Sequence, residues 1–284
     1  MIRRSARRGL LAAHQPFPAQ CTLAPVSETE AEKELRREQA TAAALAARAQ
    51  TEVPLDMPLE CIVTTVEESF DLVVVIAQLG KGLAGAYAKL PRWNVALIAG
   101  KDAAVRRRFT LAHELGHHYL GHGPGFDTNS SLSDEVDPDE SSANRFAAEF
   151  IAPRQAVERF VSELDDDSAT LELVCRLANH FAISPKAARI RLETTEVVTD
   201  HSLLVRLDGE IDDHQAKGCF ERLGLTDRDD LCRIPADRLP RLPAEARGSA
   251  LADYLAGKID ADQLADAIDR SSEQVEDALA SSVA

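Results

Sequence analysis

The sequence predicts an α+β fold, mainly helical, with one small antiparallel sheet. Three observations carry that expectation. Segments with the apolar spacing of amphipathic helices dominate the chain between residues 27 and 194. Three short β-like runs, separated by turn residues, interrupt them between residues 72 and 99. A pair of helices with helix-turn-helix-like spacing follows, and beyond residue 199 the charge balance changes: 19 acidic and 10 basic residues, a net of −9, from Asp200 onward.

The elements follow in order. Residues 27–51 are rich in Ala, Glu and Arg, and Ser27 with Glu30 makes a capping box, so this is a helix. Pro54 and Pro58 break it, and a second helix covers residues 59–70. The β-like runs are residues 72–79, 85–89 and 94–99, spaced by Gly80-Lys81-Gly82 and Pro91-Arg92 as antiparallel neighbours would be. Helical patterning resumes from 103 to about 121. A loop rich in Gly, Ser and Asp spans 121–139, and a helix runs from 138 to 151, ended by Pro153. Residues 168–181 and 185–194 form the helix pair, joined by Ala182-Ile183-Ser184. A strand-like run at 203–207 opens the last region, which ends in helical segments at 249–255 and 261–280.

At 284 residues, 45% hydrophobic and 28% charged, the chain can bury a sizeable core and is too apolar for general disorder. Its 14 Gly and 13 Pro exclude a collagen-like architecture. Aromatic residues make up only 5%, which disfavours a base-stacking platform. A net charge of −15 disfavours direct DNA binding and anionic membranes. No window approaches the ~18 apolar residues of a membrane span. The N-terminus carries Arg3, Arg4, Arg7 and Arg8 with no acid before Glu28, and its apolar run GLLAA is too short for a signal peptide. Residues 1–26 read as a disordered basic tail. Five scattered cysteines without a CxxC read as reduced thiols in a cytoplasmic protein.

The chemistry sits in residues 106–122, RRRFTLAHELGHHYLGH, which contain His113-Glu114-Leu115-Gly116-His117, an HExxH. On a helix, residues four apart stand one above the other, so both imidazoles can grip one metal ion. Glu114 beside them can act as general base toward a water at the metal. Gly116 is a poor helix former, and suits a place where something approaches the helix closely. A catalytic zinc takes a third protein ligand. His122 lies five residues past His117, about 140° round a continuing helix, and His118 about 100° away, so neither supplies it. A carboxylate from the following helix does. Glu140 lies at the edge of the stripe Ala143, Phe146, Ala147 and Phe150, with Asn144 one turn on to hold the outer nitrogen of a ligating His. Glu135, Asp139 and Glu149 remain rivals to Glu140.

Three stretches together, RRRFTLAHELGHHYLGH, then Glu140 to Pro153 (ESSANRFAAEFIAP), then LANHFAISPKAARIRL at 177–192, resemble the ImmA/IrrE family of metallopeptidases over about residues 30–195. The resemblance implies a cytoplasmic, zincin-like peptidase domain, with Zn2+ held by His113, His117 and Glu140 and Glu114 as base. Manganese is the alternative metal. It also implies a substrate, a helix-turn-helix repressor of the Xre/Cro type, whose cleavage relieves repression of stress-response or mobile-element genes. The organisation that follows is a peptidase domain over 27–167, the helix pair at 168–198 packed on it, and an acidic C-terminal region at 199–284 of unassigned role, which does not match the sensor-like C-terminal domain of some family members. Tyr87, His118, Tyr119, Arg145 and His201 are the candidates for stabilising an oxyanion. An extended substrate can add to the edge of the 85–89 or 94–99 strand. A non-catalytic antirepressor that only sequesters the repressor is the alternative function.

Overall fold

The computed structural model describes residues 28–89, 94–128, 137–164, 170–225 and 257–267, with Asp253 and Ser271. The basic N-terminal tail, Ser27, Glu135, Cys21, Cys232 and the segment 249–255 apart from Asp253 lie outside the described residues.

The chain begins with α1 (Glu30–Gln50), capped by Thr29 rather than Ser27. The sequence SETEAE holds two overlapping capping boxes. The second is used: the Thr29 hydroxyl accepts from the Glu32 backbone and the Glu32 carboxylate accepts from the Thr29 backbone at 2.8 Å. Helix α2 (Ile62–Ser69) follows the proline turn, and strands β1 (Leu72–Ala77), β2 (Leu83–Lys89) and β3 (Asn94–Ala99) come next.

The sheet is mixed, not antiparallel, and has a fourth strand, β4 (Gly125–Thr128), inside the segment expected to be loop. The strand order is β1-β3-β2-β4. β2 pairs antiparallel with β3 and with β4, while β1 runs parallel to β3. Parallel neighbours need a long crossover, and the stretch containing β2 supplies it. The near-continuous apolar run LVVVIA is the signature of a strand covered on both faces, and Leu72, Val73, Val74 and Ile76 are all buried.

Across the sheet lies α3 (Ala104–Leu120), and α4 (Pro138–Ile151) packs on α3 with α1 behind it. A Cβ at Gly116 would stand 3.1 Å from the Ala143 Cα, so the small residue lets the two helix backbones close up. Two arginines fix the ends of this layer. Arg108 is fully buried and donates to the carbonyls of Leu59, Glu60 and Phe181. Arg48, equally buried, donates to those of Pro54 and Met57, and burial lowers its pKa to about 10. The Arg106–Arg108 run is therefore partly structural, each buried guanidinium replacing water for otherwise orphaned carbonyls.

Pro153 does more than end α4. It starts a helix the sequence reading omits, α5 (Arg154–Ser162), which buries Ala156 and Val157. The expected pair follows as α6 (Leu171–Phe181) and α7 (Pro185–Thr194), with Ala182 at φ +50° and Ser184 capping α7. The strand expected at 203–207 is helical: α8 spans His201–Asp212. Asp200 caps it, and Leu204 and Leu207, three apart, share one buried face. Helix α9 (Gln215–Leu223) packs on α6, where Cys175 and Cys219 lie side by side and burial pushes the Cys175 thiol up to about 12. That thiol stays protonated and serves packing. Helix α10 (Ala261–Ala267) is the last described.

Glu149, a rival metal ligand on sequence grounds, has another role. It is 1% exposed, accepts from Arg191 at 3.1 Å and from the Arg154 backbone at 3.1 Å, and so ties the end of α4 to α7. Removing it leaves the buried Arg191 guanidinium uncompensated. Glu149→Ala is expected to lower unfolding free energy by about 3–5 kcal/mol, read by urea denaturation. A loss below about 1 kcal/mol would show that the pair contributes no such constraint.

Candidate metal centre

The site starts from helix periodicity. His113 and His117 are one turn apart on the buried face of α3, and their Nε2 atoms converge to 3.0 Å. The close α3–α4 contact brings Glu140 to them from the first turn of α4. Its position there is set by Asp137, whose side chain caps the helix by accepting from the Asp139 and Glu140 backbones, and by Pro138 at the first helical position. Glu140 Oε2 lies 3.3 Å from His113 Nε2, and Oε1 lies 3.5 Å from His117 Nε2.

A fourth group joins them that sequence reasoning missed. Asp127, on β4, places Oδ2 3.3 Å from His113 Nε2 and is 3% exposed. One ligand atom from each of His113, His117, Asp127 and Glu140 lies within 4.8 Å of the others. Metal–ligand bonds of about 2.0–2.1 Å set tetrahedral ligand atoms roughly 3.3 Å apart, which is the spacing of these nitrogen and carboxylate atoms. Asp127 Oδ2 and Glu140 Oε2 are also buried without a hydrogen bond. The donor set and its orphaned oxygens fit a divalent cation, and two imidazoles with carboxylates suit zinc or manganese.

Glu114 faces the same space from the other side. Both its oxygens are buried with no donor among the described residues, and a Cβ at Gly85 would stand 2.1 Å from its Oε1. The glycine of β2 therefore makes the room this carboxylate occupies. Burial, then the charge and proximity of Asp127, then Glu140, push its pKa well above the carboxylate range. His113 is raised: burial opposes its charged form, but the carboxylates of Asp127 and Glu140 outweigh it. Burial and then the neighbouring His113 lower His117 to about 4, a neutral ligand-ready imidazole. Asp127 is held at about 2, since against burial it has His113 and Glu114 within hydrogen-bond reach.

His122 departs from the helical projection because the helix stops. Gly121, at φ +77°, closes α3 with a Schellman turn, in which the His122 and Gly121 backbones donate to the carbonyls of His117 and His118. The turn folds His122 back so that its Nδ1 lies 2.9 Å from His117 Nδ1, with its Nε2 3.6 Å from Asp139. His122 thus takes the supporting position expected of Asn144. Asn144 makes no hydrogen bond to either ligand His among the described contacts; its Oδ1 is buried and unpartnered, and it lines a cleft of about 880 Å³ between α1, α4 and α7.

The oxyanion candidates separate by position. Tyr87 borders a cavity of about 190 Å³ together with Glu114, His117, Asp127 and Glu140. Its hydroxyl lies 3.2 Å from His118 Nδ1 and 3.3 Å from Asn94 Oδ1, so His118 bears on the site through Tyr87. Tyr119 packs among Phe70 and Phe146 and accepts from Gln50. Arg145 donates to Thr41 and borders the larger cleft. His201 is exposed at the start of α8. None of these three reaches the cavity.

Residues 67–193 match the peptidase family model described as the IrrE N-terminal-like domain. The matched stretch runs from the end of α2 through α7 and includes all four candidate ligands, Glu114 and Tyr87. No protein of curated function matches the chain in sequence.

Because His122 touches His117 from behind, His122→Ala is expected to weaken zinc binding by roughly 10–100-fold while the protein stays folded, measured by competition with a chromogenic chelator. An unchanged zinc affinity would remove His122 from the site.

Proposed function

We propose, from the IrrE N-terminal-like domain at residues 67–193, that the chain is a zinc-dependent endopeptidase. The substrate in this reading is a helix-turn-helix repressor of the Xre/Cro type, whose cleavage releases stress-response or mobile-element genes. The observation that carries the peptidase reading is Glu114, a fully buried carboxylate with no protein donor, set beside a convergent His–His–Glu group.

His113, His117 and Glu140 would hold the ion. Zinc in such a site lowers the pKa of water toward 7 and polarises a carbonyl. Glu114 takes the proton of the attacking water and passes it to the leaving amine nitrogen. Tyr87, positioned by His118, can turn the single hydroxyl proton it gives Asn94 Oδ1 toward the oxygen of the scissile carbonyl instead.

Charge supports the choice of substrate class. A DNA-binding repressor presents a basic face, and a chain at −15 attracts it. The basic residues of the helix pair are already engaged: Lys186 and Arg189 with Asp208, Arg189 also with Glu193, and Arg191 with Glu149. That disfavours a direct DNA-binding role for the pair and favours packing.

The test is co-expression of an Xre-type repressor with wild type and with Glu114→Gln, read by mass spectrometry. Cleavage by wild type alone is expected, with the variant's rate at least 100-fold lower and its zinc retained. Relief of repression by both forms without any cleavage would replace this reading by sequestration.

A further inference from the structure

Substrate strands commonly add to an open sheet edge. Here the edges expected to receive one are taken. β3 lies between β1 and β2, and β2 pairs on its other side with β4. The register sets Gly85 opposite Asp127 and Tyr87 opposite Gly125, so β4 runs along β2 at the level of the metal centre. The same strand turns Asp127 inward. Its carboxylate stands 3.3 Å from His113 Nε2 and lines the same small cavity as Glu114 and His117. That is the space a catalytic site keeps for water, whereas a site with four protein ligands is closed.

We propose that Asp127 is a fourth metal ligand and that β4, by carrying it along the β2 edge, holds the centre in a closed resting form which opens when an incoming strand displaces β4. The exchange is one of ligands only: the Asp127 carboxylate leaves, water takes the vacated position beside Glu114, and the substrate backbone replaces the β4 ladder on β2. β4 is suited to leave. It has four residues, its pairing with β2 is irregular at Leu83 and Gly85, and it starts at exposed Gly125, directly after exposed Gly123 and Pro124. A short edge strand costs little to detach. The inference rests on the metallopeptidase reading above, since it gives that centre its closed state.

The test uses the full chain loaded with Zn2+ or Co2+, as wild type, Asp127→Asn and Asp127→Ala. Asp127→Asn keeps the shape of the side chain, so a change shared by both variants reports the carboxylate rather than misfolding. Chelator competition is expected to show zinc bound at least tenfold more weakly by both variants. Acetohydroxamate, added to the Co2+ forms, is expected to shift the visible spectrum of the variants at concentrations at least tenfold lower than for wild type. Equal zinc affinities in all three proteins, or equal hydroxamate uptake, would overturn the fourth-ligand assignment while leaving the His–His–Glu centre intact. Failure of wild type to bind zinc at all would overturn both this inference and the metallopeptidase reading.

Discussion

The approach of α3 to α4 at Gly116 is the contact on which the centre depends. An HExxH turn supplies two imidazoles and a base from one helix, but a third ligand must come from elsewhere with sub-ångström placement. The candidate here sits in the first turn of α4, and the distance between helix axes decides whether it arrives. With Gly116 under the Ala143 backbone and Phe146 packed beside it, the helices close up enough for Glu140 to meet both Nε2 atoms. A glycine inside a helix costs roughly 1 kcal/mol in intrinsic propensity, which the gain in close packing and geometry must offset.

The second constraint is electrostatic. His113, Glu114, His117 and Asp127 are all buried, with Glu140 nearly so, and both Glu114 oxygens, Asp127 Oδ2 and Glu140 Oε2 have no donor among the described residues. Three carboxylates in one buried pocket repel one another and lose hydration, a combination that folding tolerates only with strong compensation. The same pressure is visible in Glu114, raised far above its usual range, and in Asp127, pulled the other way by His113. A divalent cation relieves all of these at once, which is the physical content of the match between donor set and metal. The surrounding apolar layer, from Leu111 and Leu115 to Phe146 and Phe150, holds the groups in place.

What the sequence disclosed follows from what is local. Helix periodicity put His113 and His117 on one face, and the apolar stripe of α4 put Glu140 near its edge. Interruption of that periodicity was harder to foresee. His122 projects away from His117 only while the helix continues, and the Schellman turn at Gly121 reverses the result; glycine at that position was the available signal. Asp127 carried less signal still, because a four-residue strand among Gly, Ser and Asp residues has no pattern to announce it. The parallel pairing of β1 with β3 is non-local as well, since strand spacing alone favours hairpins, although the unbroken LVVVIA run hinted at a strand covered on both faces. At 203–207 the run of Leu and Val spells a strand, while the Asp200 cap ahead of Leu204 and Leu207 is the signal of the helix that forms.

The helix pair α6–α7 takes its meaning from α4. At its N-terminal end α4 is fixed by the Asp137 cap and carries Glu140; at its C-terminal end Glu149 is held by Arg191 of α7 and by the Arg154 backbone. Arg154 in turn donates to the carbonyls of Thr194 and Thr195, closing the frame between α5 and α7. A helix pinned at both ends cannot slide along its neighbour, and sliding by one residue, about 1.5 Å, would carry Glu140 out of reach of the two imidazoles. The basic residues that make α7 look like a recognition helix are thus spent on carboxylates within the fold. Their spacing is that of a brace, and what it braces is the register of Glu140 against the two imidazoles.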